Sequence, residues 1–472
     1  SLLIDTLQCY FEGKKELFEG LKIMELEEEW TEYPVIRLDM SGAGATAAEI
    51  KDYLNLEFSK YEALYGIKPK ETSRESVRLQ VILDTAHQKT GKQVVVLIDE
   101  YDSPLQHSWK TPEHEGCTEV YRSVFSVLKL KGNVLRFVFI TGITKFTQIS
   151  LFSVLNHLTN ISFLPQFAPL CGITEEEMTV NFAPELEALA DKMECSIEEA
   201  HDKLKTYYDG YHFSDENMTD IYNPFSLLNA LSQLRLRNYW ISSGATSMLN
   251  KFVNNMELRL HDFEDCYIDK DTLETSDVIE GGAELFLYQT GYLTIKGFDE
   301  DGYSLGFPNE EVRKALYKAV LPTLTQKDIT DIVSIQSRLM HSMNNGNLEE
   351  AKLCMKSLIS NVPYSNKKLV SMDMEERYRL IISTILNAIG CQVEVEHMLS
   401  TGRIDIVAST SRFIYVVELK LSNNGGINAA EKQIIDNGYL KPFFADARKV
   451  IGLAVELDDM GKGLIDWKEV QN

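Results

Sequence analysis

The sequence predicts an α/β chain of several domains: an N-terminal parallel sheet, a helical middle region and a C-terminal αβββαβ unit. Two observations carry this. Apolar strand-like runs ending in acids recur between helical segments in the first third, and a period-two pattern with interior charges fills "GRIDIVASTSRFIYVVELK" at 402–420. The length of 472 residues leaves room for two or three cores.

In the N-terminal third, "YPVIRLDMS" (33–41) reads as a buried strand opened by Pro34. "QVVVLIDEYDSP" (93–104) runs five apolar residues into Asp99 and Glu100, and "VLRFVFITGITKF" (134–146) ends at Thr141-Gly142. Helical stretches between them predict a parallel sheet with functional groups at the strands' carboxyl ends, in a domain spanning 1–174. Residues 175–330 read as mostly helical, broken by "YYDGYHF" (207–213) and "YNPFSLL" (222–228). Asp209-Gly210 and Asn223-Pro224 set tight bends there, with Tyr208, Tyr211 and Phe225 expected to pack nearby. From Ala283 the order helix, strand, acidic turn, strand, helix outlines a winged-helix-like module. A helical connector and linker region spans 331–366, with "NVPYSNKK" (361–368) as the linker.

The last domain, 367–472, opens on a helix whose stripe is Tyr378, Ile381, Ile382, Ile385, Leu386 and Ile389. A strand follows at 391–397, then the two runs of 402–420, then a helix from 427 and a strand at 449–457. Period two puts Ile404, Ile406, Val417 and Leu419 on one face, and Asp405, Glu418 and Lys420 on the other. With a loop at 410–413, Asp405 would face Glu418 and Arg403 would face Lys420, with Cβ atoms about 5 Å apart. Two carboxylates at that distance repel by about 3 kcal/mol at an effective dielectric of ~20. A sheltered face of this kind needs a cation between the acids. Mg²⁺, held by one or two carboxylates and keeping its waters, suits the place. A two-residue slip would instead set Asp405 against Lys420 as an ordinary ion pair, and "TSRF" lacks the Asn-Gly signal that fixes a register.

Net charge is −24, of which only −2 lies from Lys367 onward, with 13 Lys and Arg against 15 Asp and Glu. A general polyanion binder is thereby disfavoured, and the C-terminal part is the least repelled by a phosphate backbone. Seven scattered cysteines without a C-x-x-C pair argue against a zinc cluster or disulfide framework and fit a reducing cytoplasm. No run of about 18 uncharged apolar residues occurs, so no membrane span is expected.

"GRID", followed after twelve residues by "ELK", resembles the core of the PD-(D/E)XK nuclease superfamily, in the version fused to bacterial AAA-ATPase-like domains. The similarity extends through Glu375 and Tyr378 at the helix start and through Gln433 and Tyr439. The resemblance implies metal ligation by Asp405 and Glu418, assistance to the nucleophile by Lys420, a further ligand in Glu375 and a site role for Gln433. Ile404 stands where the strict motif has proline. "VVVLIDE" likewise resembles a Walker B strand, implying that Asp99 holds the Mg²⁺ of a nucleotide, that Glu100 polarises water and that Thr141 senses a γ-phosphate, with Lys145 close by. Segments such as "VLIDEYDSPL", "YYDGYHFS" and "LYQTGYLTI" follow that family's order along nearly the whole chain.

One departure matters. No G-x-x-x-x-G-K-[ST] occurs, and the chain begins at Ser1, where the serine of that loop would fall. ATP binding by the chain as written is therefore expected to be poor, with Ser1, Asp99, Glu100 and Thr141 the remnants of a nucleotide site. The expected function is Mg²⁺- or Mn²⁺-dependent cleavage of DNA or RNA, coupled to an ATP-binding module whose relatives often form oligomers. The alternative is a non-catalytic, nucleotide-regulated switch or scaffold that binds a protein or nucleic acid partner.

Overall fold

The computed structural model describes residues 1–68, 74–144, 158–240, 263, 266–275, 282–325, 329–360 and 373–470. Lys145 and the linker at 361–368 lie outside the described residues. The chain divides into two compact units, Ser1–Cys171 with Ile268–Gly291, and Gly172–Tyr267 with Tyr292–Asn472.

In the first unit, β1 (Val35–Asp39), β2 (Val94–Asp99) and β3 (Leu135–Ile140) form a parallel sheet in that order. The continuous apolar run of β2 has a simple cause: it is the central strand, and all six of its residues are buried. Ile4 and Phe11, from helix Leu2–Phe11, pack against Val95 and Leu97. Helix Ala47–Leu64 begins with a capping box, Thr46 accepting from the Glu49 N–H while Glu49 reaches back to the Thr46 N–H. Helix Glu75–Thr90 ends at Gly91, whose φ of 65° suits glycine. Asp39 and Asp99 are neighbours at the carboxyl ends of β1 and β2.

In the second unit, β4 (Ile173–Thr174) and β5 (Ile221–Tyr222) pair beside a helical cluster from 175 to 233 whose core includes Leu189, Leu204, Tyr208 and Tyr222. Tyr208 and Tyr211 are buried as expected, but Phe225 is half exposed. It stands on the first turn of helix Pro224–Gln233, which Asn223 caps by accepting from the Ser226 N–H at 3.1 Å. The strand β6 (Cys266–Asp269) is short. The strands β7 (Thr294–Phe298) and β8 (Gly302–Gly306) form the expected hairpin, with helix Glu310–Thr325 after it, while helix Gly282–Gln289, before it in the chain, belongs to the first unit.

The last strands are β9 (Gln392–Leu399), β10 (Gly402–Ser409), β11 (Phe413–Leu421), β12 (Lys449–Leu457) and β13 (Leu464–Val470), in the sheet order β13-β12-β11-β10-β9. Only β11 and β12 pair in parallel, joined through helix Gly426–Asp436. The strand β13 was not expected, so the order is αβββαββ. Its buried residues, Leu464, Trp467 and Val470, recur every third position and do not read as a strand. Helix Met374–Ala388 buries the whole expected stripe, along with Arg377, Ser383 and Asn387.

Candidate active site

The hairpin keeps the expected register, not the slipped one: Ile406 pairs with Val417, Val407 with Val416 and Ala408 with Tyr415. The expected alternation fails at Asp405. Ile404 joins Val407, Ile414 and Val416 in the cluster against Ala430 and Ile434, whereas Val417 lines an apolar pocket with Ile382 and Leu386. Ile404 and Val417 therefore lie on opposite faces, contrary to the sequence pattern. One step of alternation is lost between Ile404 and Val407. At the same place the pairing of β10 with β9 passes from Ile404–His397 to Ile406–Val395, skipping Asp405 and Glu396. Glu396 has a φ of 56° there.

That interruption carries Asp405 out of the ladder. It does not face Glu418 as a simple cross-strand pair; instead its carboxylate Oδ2 accepts from the Leu419 N–H of β11 at 2.9 Å. Its Oδ1 accepts from Arg379 Nη1 at 2.9 Å. Arg403 does not meet Lys420 either; it pairs with Glu396 at 3.0 Å.

Glu418 is 1% exposed. Lys420 Nζ lies 3.0 Å from its Oε1, and Oε2 is buried with no hydrogen bond of good geometry. Burial above all, then the neighbouring Asp405, pushes the Glu418 carboxyl up to about 7. Burial also raises Glu375, although Lys420 opposes it from 3.6 Å. Burial works against the Lys420 charge, yet Glu418, Asp405 and Glu375 together hold the ammonium above the usual lysine value. The sequence demanded a cation among these acids. Arg379 and Lys420 provide two.

Four of the five expected residues, Asp405, Glu418, Lys420 and Glu375, thus form one linked constellation. Gln433 is engaged elsewhere: its amide donates to the Tyr439 hydroxyl at 3.2 Å, and that hydroxyl donates to the Arg403 carbonyl at 3.0 Å. Among the described residues, no three His, Cys, Asp or Glu side chains are already gathered to hold a metal. The donor set nevertheless fits Mg²⁺ or Mn²⁺: two hard carboxylates, one with an orphaned buried oxygen, meet the one-or-two-carboxylate requirement of such ions. Arg379 and Glu396 escaped the sequence reading. The available signal was Arg379 one turn beyond Glu375 on the same helix.

In the first unit, Ser1 N lies 3.5 Å from Asp99 Oδ2, which is buried without a hydrogen bond. Glu100 follows with a φ of 53°, and burial, then Asp102, Asp99 and Asp39, raises its carboxyl. The Thr141 N–H donates to the Ile98 carbonyl at 2.9 Å, setting Thr141 just past β3 and beside the end of β2. Asp102, also unforeseen, is fully buried and accepts from Ile143 N–H at 3.2 Å and Thr144 Oγ1 at 2.7 Å. It fixes the turn after β3, and a Cβ on Gly142 would fall 2.3 Å from its Oδ1.

Two family models match parts of the chain. Residues 1–152 match the family model described as predicted AAA-ATPase, and residues 373–467 match the model of the PD-(D/E)XK nuclease superfamily. A protein of Azotobacter chroococcum mcd 1, described as the uncharacterized protein in the vnfD 5′ region, is 28% identical over 484 residues, covering 97% of this chain and 90% of the relative. No solved structure matches the chain.

Proposed function

We propose, from the premise that this chain joins a predicted AAA-ATPase domain to a PD-(D/E)XK nuclease superfamily domain, that the C-terminal domain cleaves nucleic acid phosphodiesters with Mg²⁺ or Mn²⁺. The observation that carries the reading is Glu418, a buried acid with one orphaned oxygen, linked to Lys420 and adjoining Asp405. Asp405 and Glu418 would hold the ion. When bound, such an ion polarises a phosphodiester and acidifies a water. Lys420 orients that water or neutralises charge developing on the phosphate, and Glu375 holds the ammonium in place. Gln433 acts at one remove, through Tyr439 and the start of β10.

In the N-terminal domain, Asp99 would hold the Mg²⁺ of a nucleotide, with Glu100 and Thr141 at the same strand ends, and nucleotide state would govern the nuclease domain. The 283–325 stretch fits a winged-helix-like module between them in the sequence.

The ion pair of Arg379 with Asp405 favours a second reading, a nuclease-like scaffold that binds its partner without cutting. Cleavage assays separate the two. Wild-type protein is expected to cut DNA or RNA only with Mg²⁺ or Mn²⁺, and Asp405→Asn, Glu418→Gln and Lys420→Ala should each lower the rate at least about a hundredfold. Absence of metal-dependent cutting, with partner binding intact in all three variants, would establish the scaffold.

A further inference from the structure

Both oxygens of Asp405 are committed. The bond from Leu419 N–H to Oδ2 ties the carboxylate to β11, where the ordinary ladder has lapsed. The second oxygen, Oδ1, belongs to Arg379. Each oxygen keeps a second lone pair, but a divalent ion drawn to Asp405 and Glu418 would lie beside the Arg379 guanidinium at Oδ1, where two cations repel.

The guanidinium is not free to leave for water. The Arg379 side chain is 12% exposed and that of Asp405 8%. A displaced arginine at this depth needs another acceptor. Glu396 is in place: its Oε1 lies 3.1 Å from Arg379 Nη2 and 3.0 Å from Arg403 Nη1. It sits on β9 at a φ of 56°, a backbone conformation that a non-glycine residue keeps only when its surroundings impose it. The break in pairing at Asp405 and Glu396 thus does two things at once. It frees Asp405 from the ladder, and it sets an acid on the far side of the arginine.

We propose that Arg379 is a positioning residue that stands in for the metal: it neutralises Asp405 while the site lacks an ion and is handed over to Glu396 when Mg²⁺ or Mn²⁺ binds. The inference rests on the metal-dependent reading of the Asp405–Glu418 pair. Its signature is mutual exclusion of ion and arginine, with Glu396 acting only through Arg379.

Titration of the full chain with Mn²⁺ by calorimetry tests it without any turnover. Arg379→Gln should bind Mn²⁺ about tenfold more tightly than wild type, since a charge-assisted bond no longer competes. Glu396→Gln should weaken binding in the wild-type background and leave it unchanged in the Arg379→Gln background. Asp405→Asn should abolish binding throughout. Thermal melts report whether each variant folds. If Arg379→Gln does not fold, Arg379→Lys keeps a charge without the two-acceptor fork and should still bind Mn²⁺ more tightly than wild type. Asp405-dependent binding that is unchanged or weaker in the Arg379 variants overturns the handover and leaves the metal site standing. No Asp405-dependent binding in any variant overturns the metal reading and the handover with it.

Discussion

Glu418 is an acid held almost entirely out of water. Burial and Asp405 raise its carboxyl from 4.5 to about 7, so the folded state holds the proton that the unfolded chain gives up first. Its burial is therefore without cost below about pH 4.5, and the cost grows as pH rises until it is complete above about pH 7. A shift of that size corresponds to roughly 3 kcal/mol. With a chelator present, urea unfolding should show Glu418→Gln gaining on wild type between pH 5 and pH 8 by up to about 3 kcal/mol. A difference that does not change with pH would mean that Glu418 titrates normally. Asp405 and Glu418 were readable as chemistry because charges inside a strand violate its usual composition. Arg379 was not, since a lone arginine on an amphipathic helix reads as solvated surface; its partner lies 26 residues away.

Elements differ in how much of their placement local sequence controls. The hairpin register follows from two matching apolar runs around a short break, so the pairing of Ile406 with Val417 was accessible. The lost step at Asp405 was not, because the interruption involves the neighbouring strand at Glu396 as well as β10 itself. β13 was hidden for a related reason: as an edge strand it buries Leu464, Trp467 and Val470 at intervals of three. "YYDGYHF" shows the opposite case. Gly210 stands at a φ of 94°, and a Cβ there would lie 2.4 Å from the Pro308 carbonyl oxygen, a backbone atom with little room to yield. Gly210→Ala is expected to cost about 3 kcal/mol or more in chemical unfolding, a penalty that surface glycines without such a neighbour do not incur.

At the scale of the whole molecule, charge decides where nucleic acid is welcome. The −24 is concentrated before residue 367, so if the proposed nucleic-acid substrate binds, its phosphate contacts are expected at the cations of the nuclease-like domain. Binding of a DNA or RNA duplex should therefore weaken with salt, with a shallow slope that corresponds to few neutralised phosphates, and substitutions of Arg or Lys within 373–467 should flatten it further. Fluorescence anisotropy across a salt series measures this directly, and a steep slope would place the contacts elsewhere. Among the described residues no helix is long and apolar enough to cross a membrane.

The amino-acid order by itself determined the parallel N-terminal sheet, the hairpin and the identity of the acids and the lysine, because period, strand length and misplaced charge are local properties. Tertiary structure decided what neutralises those acids. A helix brings Arg379 to Asp405, and an adjacent strand, at a residue of positive φ, brings Glu396 to Arg379. Coulombic stabilisation depends on distance in space and on burial, and neither is written in the spacing of residues along the chain.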